Sequence, residues 1–182
     1  MKLAGTHIVS APRRKVWEFL NDPQRLATCM PGCEKLETTG ENEYSGQINV
    51  GLAAVKGVYN GKVKLEDIQP PTHYKMLLDG KGKQGFIKGS GTIDLEEQDG
   101  QTVLKYTGDV QIGGPLASVG QRMIDGAAKM MMGQFFTAME AELAAMPGEE
   151  VRQGIAINLW RSFLKWLRGL LAGLSGRKKH AT

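Results

Sequence analysis

The stretch from Pro115 to Met146, PLASVGQRMIDGAAKMMMGQFFTAMEAELAAM, is the longest helical pattern in the first 150 residues, and what precedes it reads mostly as short strands. Leu116, Val119, Met123, Ala127, Met130, Met131, Gln134, Ala138 and Leu143 recur at helical spacing, so one side of a helix over 115–146 should lie against an apolar surface. A sheet is the surface that the rest of the chain can supply. The expected class is therefore α+β, with a curved antiparallel sheet wrapped round a long C-terminal helix.

The strands are legible from their punctuation. Lys2 to Ser10 reads as an opening strand that Ala11-Pro12 stops, with the Pro placed to start a short helix over 12–20. Val16, Trp17, Phe19 and Leu20 gather on one side of it, as core residues do, and Asn21-Asp22-Pro23 breaks it before another short helical turn containing Leu26. From Cys33 to Ile112 strands alternate with turns at Glu41-Asn42, Gly51 to Ala54, Gln69 to Thr72, Lys81 to Gly85 and Asp99-Gly100, the last a strong hairpin signal. Tyr44, Gly46, Ile48 and Val50 share one strand face; Val55, Gly57, Tyr59, Gly61, Val63 and Leu65 share a second; Leu104, Tyr106, Gly108, Val110 and Ile112 share a third.

Glycine weakens a strand, so Gly46, Gly57, Gly61, Gly85, Gly89, Gly91 and Gly108 need a reason. Strong curvature is one; room for a ligand or for the long helix is the other. None leads from a strand into a helix with phosphate-loop spacing. Met123, Met130, Met131 and Met132 put adaptable thioethers in the long helix, which suits a cavity wall facing a flexible ligand and equally suits plain core filling. The candidate ligand wall is Val119, Met123, Ala127, Met130, Met131 and Gln134, facing Tyr44, Tyr59, Phe86 and Tyr106, with Trp17 beneath and Met30, Pro31 and Gly32 at the mouth. Gln121, Arg122 and Asp125 could add polar groups there.

Charge divides the chain. Residues 151–182 hold seven Lys or Arg and no Asp or Glu, which leaves 16 basic against 19 acidic residues, a net of −3, in residues 1–150. A nucleic-acid partner for the body loses its support. Met146-Pro147-Gly148 marks a break, so residues 1–146 are expected to form one domain and 147–182 a basic tail. On a helical wheel Ile155, Ile157, Leu159, Trp160, Phe163, Leu164, Trp166, Leu167, Leu170, Leu171 and Leu174 make a broad apolar side, with Arg161, Lys165 and Arg168 interrupting any spanning run. Such a helix fits the membrane interface, Trp160 and Trp166 at headgroup depth and Arg177, Lys178 and Lys179 near anionic lipid, where each base is worth about 1 kcal/mol. The competing reading docks the same face on a partner protein or a second copy.

The opening MKLAGTHIVS has no apolar core of the kind secretory leaders carry, so the expected setting is the cytoplasm, at the inner face of the cytoplasmic membrane. Cys29 and Cys33 lack the second ligand pair of a structural zinc site, and His7, His73 and His180 are scattered, so no metal and no required cofactor are expected. No Ser, His and Asp arrangement or paired carboxylate motif stands out for catalysis.

Strand, two short helices, a run of antiparallel strands and one long helix is the order of the helix-grip, START-like fold. Ala11-Pro12, Val16-Trp17, Phe19-Leu20-Asn21-Asp22-Pro23 and Cys29-Met30-Pro31-Gly32-Cys33-Glu34 together resemble the carbon monoxide dehydrogenase CoxG family of the SRPBCC superfamily. Gly120-Gln121-Arg122 and Gln134-Phe135-Phe136 resemble that family's closing helix. The resemblance implies a non-catalytic accessory that recruits a molybdenum-containing carbon monoxide dehydrogenase or related hydroxylase to the membrane. Joined to the amphipathic tail, it points to a carrier of an apolar lipid or lipid quinone. The rivals are a cyclase-like or hydrolase-like cavity enzyme and a tether with a filled interior; a cavity of several hundred Å³ would separate carrier from tether.

Overall fold

The computed structural model describes residues 1–52 and 55–146. The elements are β1 (Lys2–Val9), α1 (Arg13–Leu20), α2 (Pro23–Cys29), β2 (Cys33–Gly40), β3 (Glu43–Val50), β4 (Gly57–Gln69), β5 (His73–Gly82), β6 (Gly85–Gln98), β7 (Gln101–Gly113), a 3-10 helix (Gly114–Val119) and α3 (Gln121–Ala145). This is the expected α+β architecture. The local causes are those the sequence carries: Pro23 opens α2 and the Asp22 carboxylate accepts the N–H groups of Gln24 and Arg25 at 3.0 and 3.2 Å. Asp99 and Gly100 both take positive φ, 51° and 76°, the conformation of a two-residue hairpin turn.

The strands form one antiparallel sheet in the order β1-β7-β6-β5-β4-β3-β2. Residues paired across strands point to the same side, so the register sorts every side chain. One row runs Tyr74, Ile93, Tyr106, Gly5; the next Leu65, Met76, Gly91, Gly108, Leu3; the next Tyr44, Val63, Leu78, Gly89, Val110; the next Leu36, Gly46, Gly61, Gly80, Ile87, Ile112. All of these lie on the face toward α3. Between them, on the other face, stand the charged residues, tied by pairs such as Lys105 to Glu96, Lys88 to Asp79 and Lys75 to Glu66.

The core occupies one end of that apolar face. There Val9, Leu65, Tyr74, Leu95 and Leu104 are buried, together with Val16, Phe19 and Leu20 of α1 and Met139 and Leu143 of α3. Thr102, also buried, donates its hydroxyl to the Ala11 carbonyl at 2.7 Å, which anchors the β1–α1 corner. Trp17 is half-buried and meets Tyr74 edge-on, ring centroids 5.6 Å apart.

The helix predicted over 115–146 is two pieces. Gly114–Val119 is 3-10, Gly120 at φ 94° interrupts, and α3 proper begins at Gln121. The interruption resets the helical phase, so a wheel begun at Leu116 does not project into α3. The buried positions of α3 are Ile124, Met139 and Leu143, whereas Met123 and Met130 are 57% and 51% exposed and Gln134 is exposed as well.

Two outcomes test this core. Met139→Ala, at a position with no solvent exposure, should cost about 2–5 kcal/mol in urea unfolding without changing the far-ultraviolet spectrum. Burial pushes the Tyr74 hydroxyl well above the ordinary tyrosine range. The unfolded chain releases that proton near pH 10 and the folded chain retains it. Its contribution is therefore complete below about pH 10 and declines as pH rises further; Tyr74→Phe should flatten the fall of the urea midpoint above pH 10, and an unchanged slope would refute the assignment.

Candidate apolar ligand site

Burial along the sheet changes from one end to the other. Beyond the core the α3-facing rows continue as half-exposed Tyr44, Ile48, Tyr59, Val63, Met76, Ile87, Val110 and Ile112, with Leu78 at 36% exposure. This wall carries no Asp, Glu, Lys or Arg. Its glycines divide by what an added Cβ would meet. At Gly89 it would collide with the Asp109 carbonyl and at Gly91 it would lie 2.6 Å from that of Thr107, so these two permit the close approach of β7. At Gly61, Gly80 and Gly108 the nearest atoms are 3.7 Å away, ordinary contact distance. Neither the backbone nor packing around the Cβ position demands glycine there.

At the open end a cavity of about 470 Å³ is lined by Asp109, Val110, Gln111 and Ile112 of β7 with Met1, Phe86, Ala117, Gln121 and Ile124. A volume of several hundred Å³ is within the range of small-molecule sites. The tip of the β5–β6 hairpin closes on this region: the Leu116 N–H donates to the Gln84 carbonyl. At the opposite end α3 is held by His7, whose Nε2 lies 2.8 Å from Glu140 Oε1 and whose ring stacks on Phe136 at 4.2 Å. Tyr106 adds a tilted contact with Phe136 at 6.0 Å. The 3-10 helix is thus held at the open end and α3 at the opposite one.

The candidate residues fall into groups. Tyr44, Tyr59 and Tyr106 stand on the α3-facing side; Tyr44, with Val63 and Leu78, also lines a smaller cavity of about 240 Å³. The Tyr59 hydroxyl donates to the Val55 carbonyl at 3.0 Å, and burial raises its pKa. Phe86 is a correction in parity: its cross-strand partners are Lys81 and Gly113, which puts it on the outer register, and it reaches the cavity edge because its ring lies over the bare Gly113. On α3, Ala127 and Met131 are half-buried; Met123, Met130 and Gln134 face outward, a correction with the phase shift at Gly120 as its cause. Val119 is half-buried in the 3-10 helix, and Gln121 reaches the cavity.

Met30, Pro31 and Gly32 brace the sheet near this end: the Asn49 N–H donates to the Gly32 carbonyl at 2.8 Å, and a Cβ on Gly32 would strike the Asn49 carbonyl. Burial pushes the Cys29 and Cys33 thiols up, which keeps them protonated and weakly nucleophilic. Sequence reading missed Ile124, Phe135 and Phe136; the Gly120 break was the signal for a new phase. The tail residues Trp160 to Lys179 lie outside the described residues. Among the described residues no helix is long and apolar enough to cross a membrane, and no three His, Cys, Asp or Glu side chains gather as metal ligands would.

The profile of the carbon monoxide dehydrogenase CoxG family matches residues 5–144. The chain belongs to the CoxG family. A conserved protein from Geobacillus kaustophilus, known from its crystal structure, is 39% identical to this CoxG-family chain, with a TM-score of 0.78 over 80% of this chain and 96% of that one. More distant likenesses show the fold alone. A START superfamily protein from Mycobacterium smegmatis is 12% identical (TM-score 0.62, 80% of this chain, 99% of that one), and the Zhui aromatase/cyclase from Streptomyces is 19% identical (TM-score 0.61, 79% and 93%). No curated protein matches the chain.

The division among the glycines is testable. Gly61→Ala should change stability by no more than about 1 kcal/mol, whereas Gly89→Ala, which presses on the Asp109 carbonyl, should cost about 1–3 kcal/mol. Equal effects in thermal unfolding would remove the distinction between room and curvature.

Proposed function

We propose that this CoxG-family protein is a non-catalytic carrier of an apolar lipid, a lipid quinone above all, that brings a molybdenum-containing carbon monoxide dehydrogenase or related hydroxylase to the cytoplasmic membrane and to its quinone pool. The observation that carries the reading is the apolar face of the sheet, which is half-exposed beyond the core, bears no acidic or basic side chain among its inward-facing residues and has the 470 Å³ cavity at its open end. Such a wall favours isoprenoid by about 0.8 kcal/mol per methylene-sized group buried. It supplies no developing charge with a partner. Gln121 and the polar edge near Asp109 are where a head group would find hydrogen bonds.

An enzyme in the same cavity would need an acid or base placed against its substrate. His7, the imidazole on this face, is engaged by Glu140 and covered by Phe136. Membership in the CoxG family supports the association with a dehydrogenase, and the basic amphipathic pattern of residues 147–182 supports the membrane address.

Organic extraction of the purified full chain followed by mass spectrometry should recover an apolar isoprenoid lipid, and ubiquinone should bind the emptied protein. Gly61→Leu and Gly80→Leu, which fill the wall, should lower that binding at least tenfold while the unfolding transition is kept. An emptied, folded protein that takes up neither quinone nor any other apolar lipid would overturn the proposal.

A further inference from the structure

The basic residues of the described body fall into two populations. Arg13, Arg25, Lys64, Lys75, Lys88 and Lys105 each sit within 4 Å of a carboxylate. Lys2, Lys56, Lys62, Lys81, Lys83, Arg122 and Lys129 make no ion pair among the described residues, and four of them, Lys56, Lys81, Lys83 and Arg122, lie at the open end of the sheet. Lys81 pairs in register with Asn60 on one side and Phe86 on the other; Lys83 is in the turn of that hairpin; Lys56 immediately precedes β4. Arg122 is in the first turn of α3, next to Gln121, which lines the 470 Å³ cavity together with Phe86 of that hairpin. The carboxylates of this end are Asp109 on β7, Asp125 on α3 and Glu34, which accepts from the Asn49 and Gln47 side-chain amides, so the four bases outnumber them by one.

The same end exposes apolar side chains. Val58 is 42%, Phe86 38% and Met123 57% exposed, half of the six large hydrophobic residues most open to solvent among the described residues. Behind Lys81 the outer face is hollowed to about 530 Å³, lined by Lys35, Lys62, Lys81, Asn60, Gln47 and Ser45, with its one lining carboxylate, Asp79, already paired to Lys88. That hollow offers ammonium and amide groups at the scale of a phosphate head group. Unpaired ammonium groups interleaved with exposed apolar side chains, around the mouth of an apolar cavity, match an interface in which hydrocarbon lies beneath a layer of negative phosphates. An acidic protein surface would account for the lysines and leave Val58 and Met123 unexplained.

We propose that this end, formed by the β5–β6 turn, the start of β4 and the first turn of α3, is a second membrane-docking surface that seats the cavity mouth directly on anionic phospholipid. It rests on the carrier reading above and deepens it: the apolar ligand passes between bilayer and cavity without crossing water. The tail then governs whether the protein stays at the membrane, and this surface governs how it is oriented there.

Hydrogen exchange of the full chain on phosphatidylcholine vesicles, with and without phosphatidylglycerol, tests the surface separately from the tail. On vesicles that contain phosphatidylglycerol, peptides covering 55–60, 81–86 and 121–124 should exchange more slowly than in solution. The K56Q/K81Q/K83Q variant should lose that protection and need more anionic vesicle for half-binding, by up to about fivefold per lysine. Unchanged exchange in these peptides when the chain sediments with vesicles overturns the proposal, as does equal protection on uncharged vesicles, undiminished protection in the variant, or no vesicle binding at all. Quinone uptake from detergent, measured on the same variant, reports on the carrier reading by itself. Uptake at the wild-type level with protection lost upholds both; failure of the wild-type chain to take up quinone with protection present sinks the carrier reading and leaves the docking surface standing.

Discussion

Cross-strand register is the constraint on which the rest of this molecule depends. Because seven strands pair antiparallel, alternate residues are committed to opposite sides of a single sheet except at the register shifts near Cys33, Thr38 and Glu66. Leucine, valine, tyrosine and glycine occupy one set of positions and lysine, glutamate and aspartate the other, so a slip of one residue anywhere would carry charge into the apolar interior. The outer face is then a lattice of exposed ion pairs that contribute little individually. The inner face supplies the burial that drives folding, and its filling decides what the protein can do.

That filling is uneven for identifiable reasons. At one end α1 and the last turns of α3 insert Val16, Phe19, Met139 and Leu143 between the rows, and the sheet is covered to exclusion of solvent. At the other end the helix is replaced by a 3-10 segment and a glycine break, and the opposing wall is thinned at Gly61, Gly80 and Gly108. Collapse of that end is opposed by fixed geometry: β7 approaches β6 closely at Gly89 and Gly91, and α3 is held at its far end by His7, Glu140 and Phe136. A half-exposed apolar wall is unfavourable in water. In the proposed carrier an isoprenoid chain would remove that cost on binding. Lys56, Lys81 and Lys83, without ion pairs among the described residues, lie at this open end, where the ligand would enter.

Much of the architecture was legible because its determinants are local. Asp99-Gly100, Gln69 to Thr72 and Asn21-Asp22-Pro23 each mark an interruption through backbone preferences that tertiary contacts do not override, and all three lie where the structure turns. The strand faces of Tyr44, Tyr59 and Tyr106 followed from alternation alone. The helix face did not, because helical phase accumulates from a starting point, and Gly120 resets it. Met123 and Met130, read as inward, therefore face solvent, while Ile124, Met139 and Leu143 carry the packing. Phe86 differs in parity: its partners Lys81 and Gly113 put it on the outer register, and the absence of a side chain at Gly113 lets the ring line the cavity.

What the sequence by itself determined is the order of elements, the turn positions, the two-faced character of each strand and the separation of an acidic body from a basic tail. These depend on residues close together in the chain. What only the tertiary structure decided is how much of the apolar face is covered, which side of α3 meets it, and which lysines are left without carboxylate partners. Each of those is a relation between residues 20 to 130 positions apart, set by register and by where a helix is pinned, and no local pattern encodes the distance between two walls.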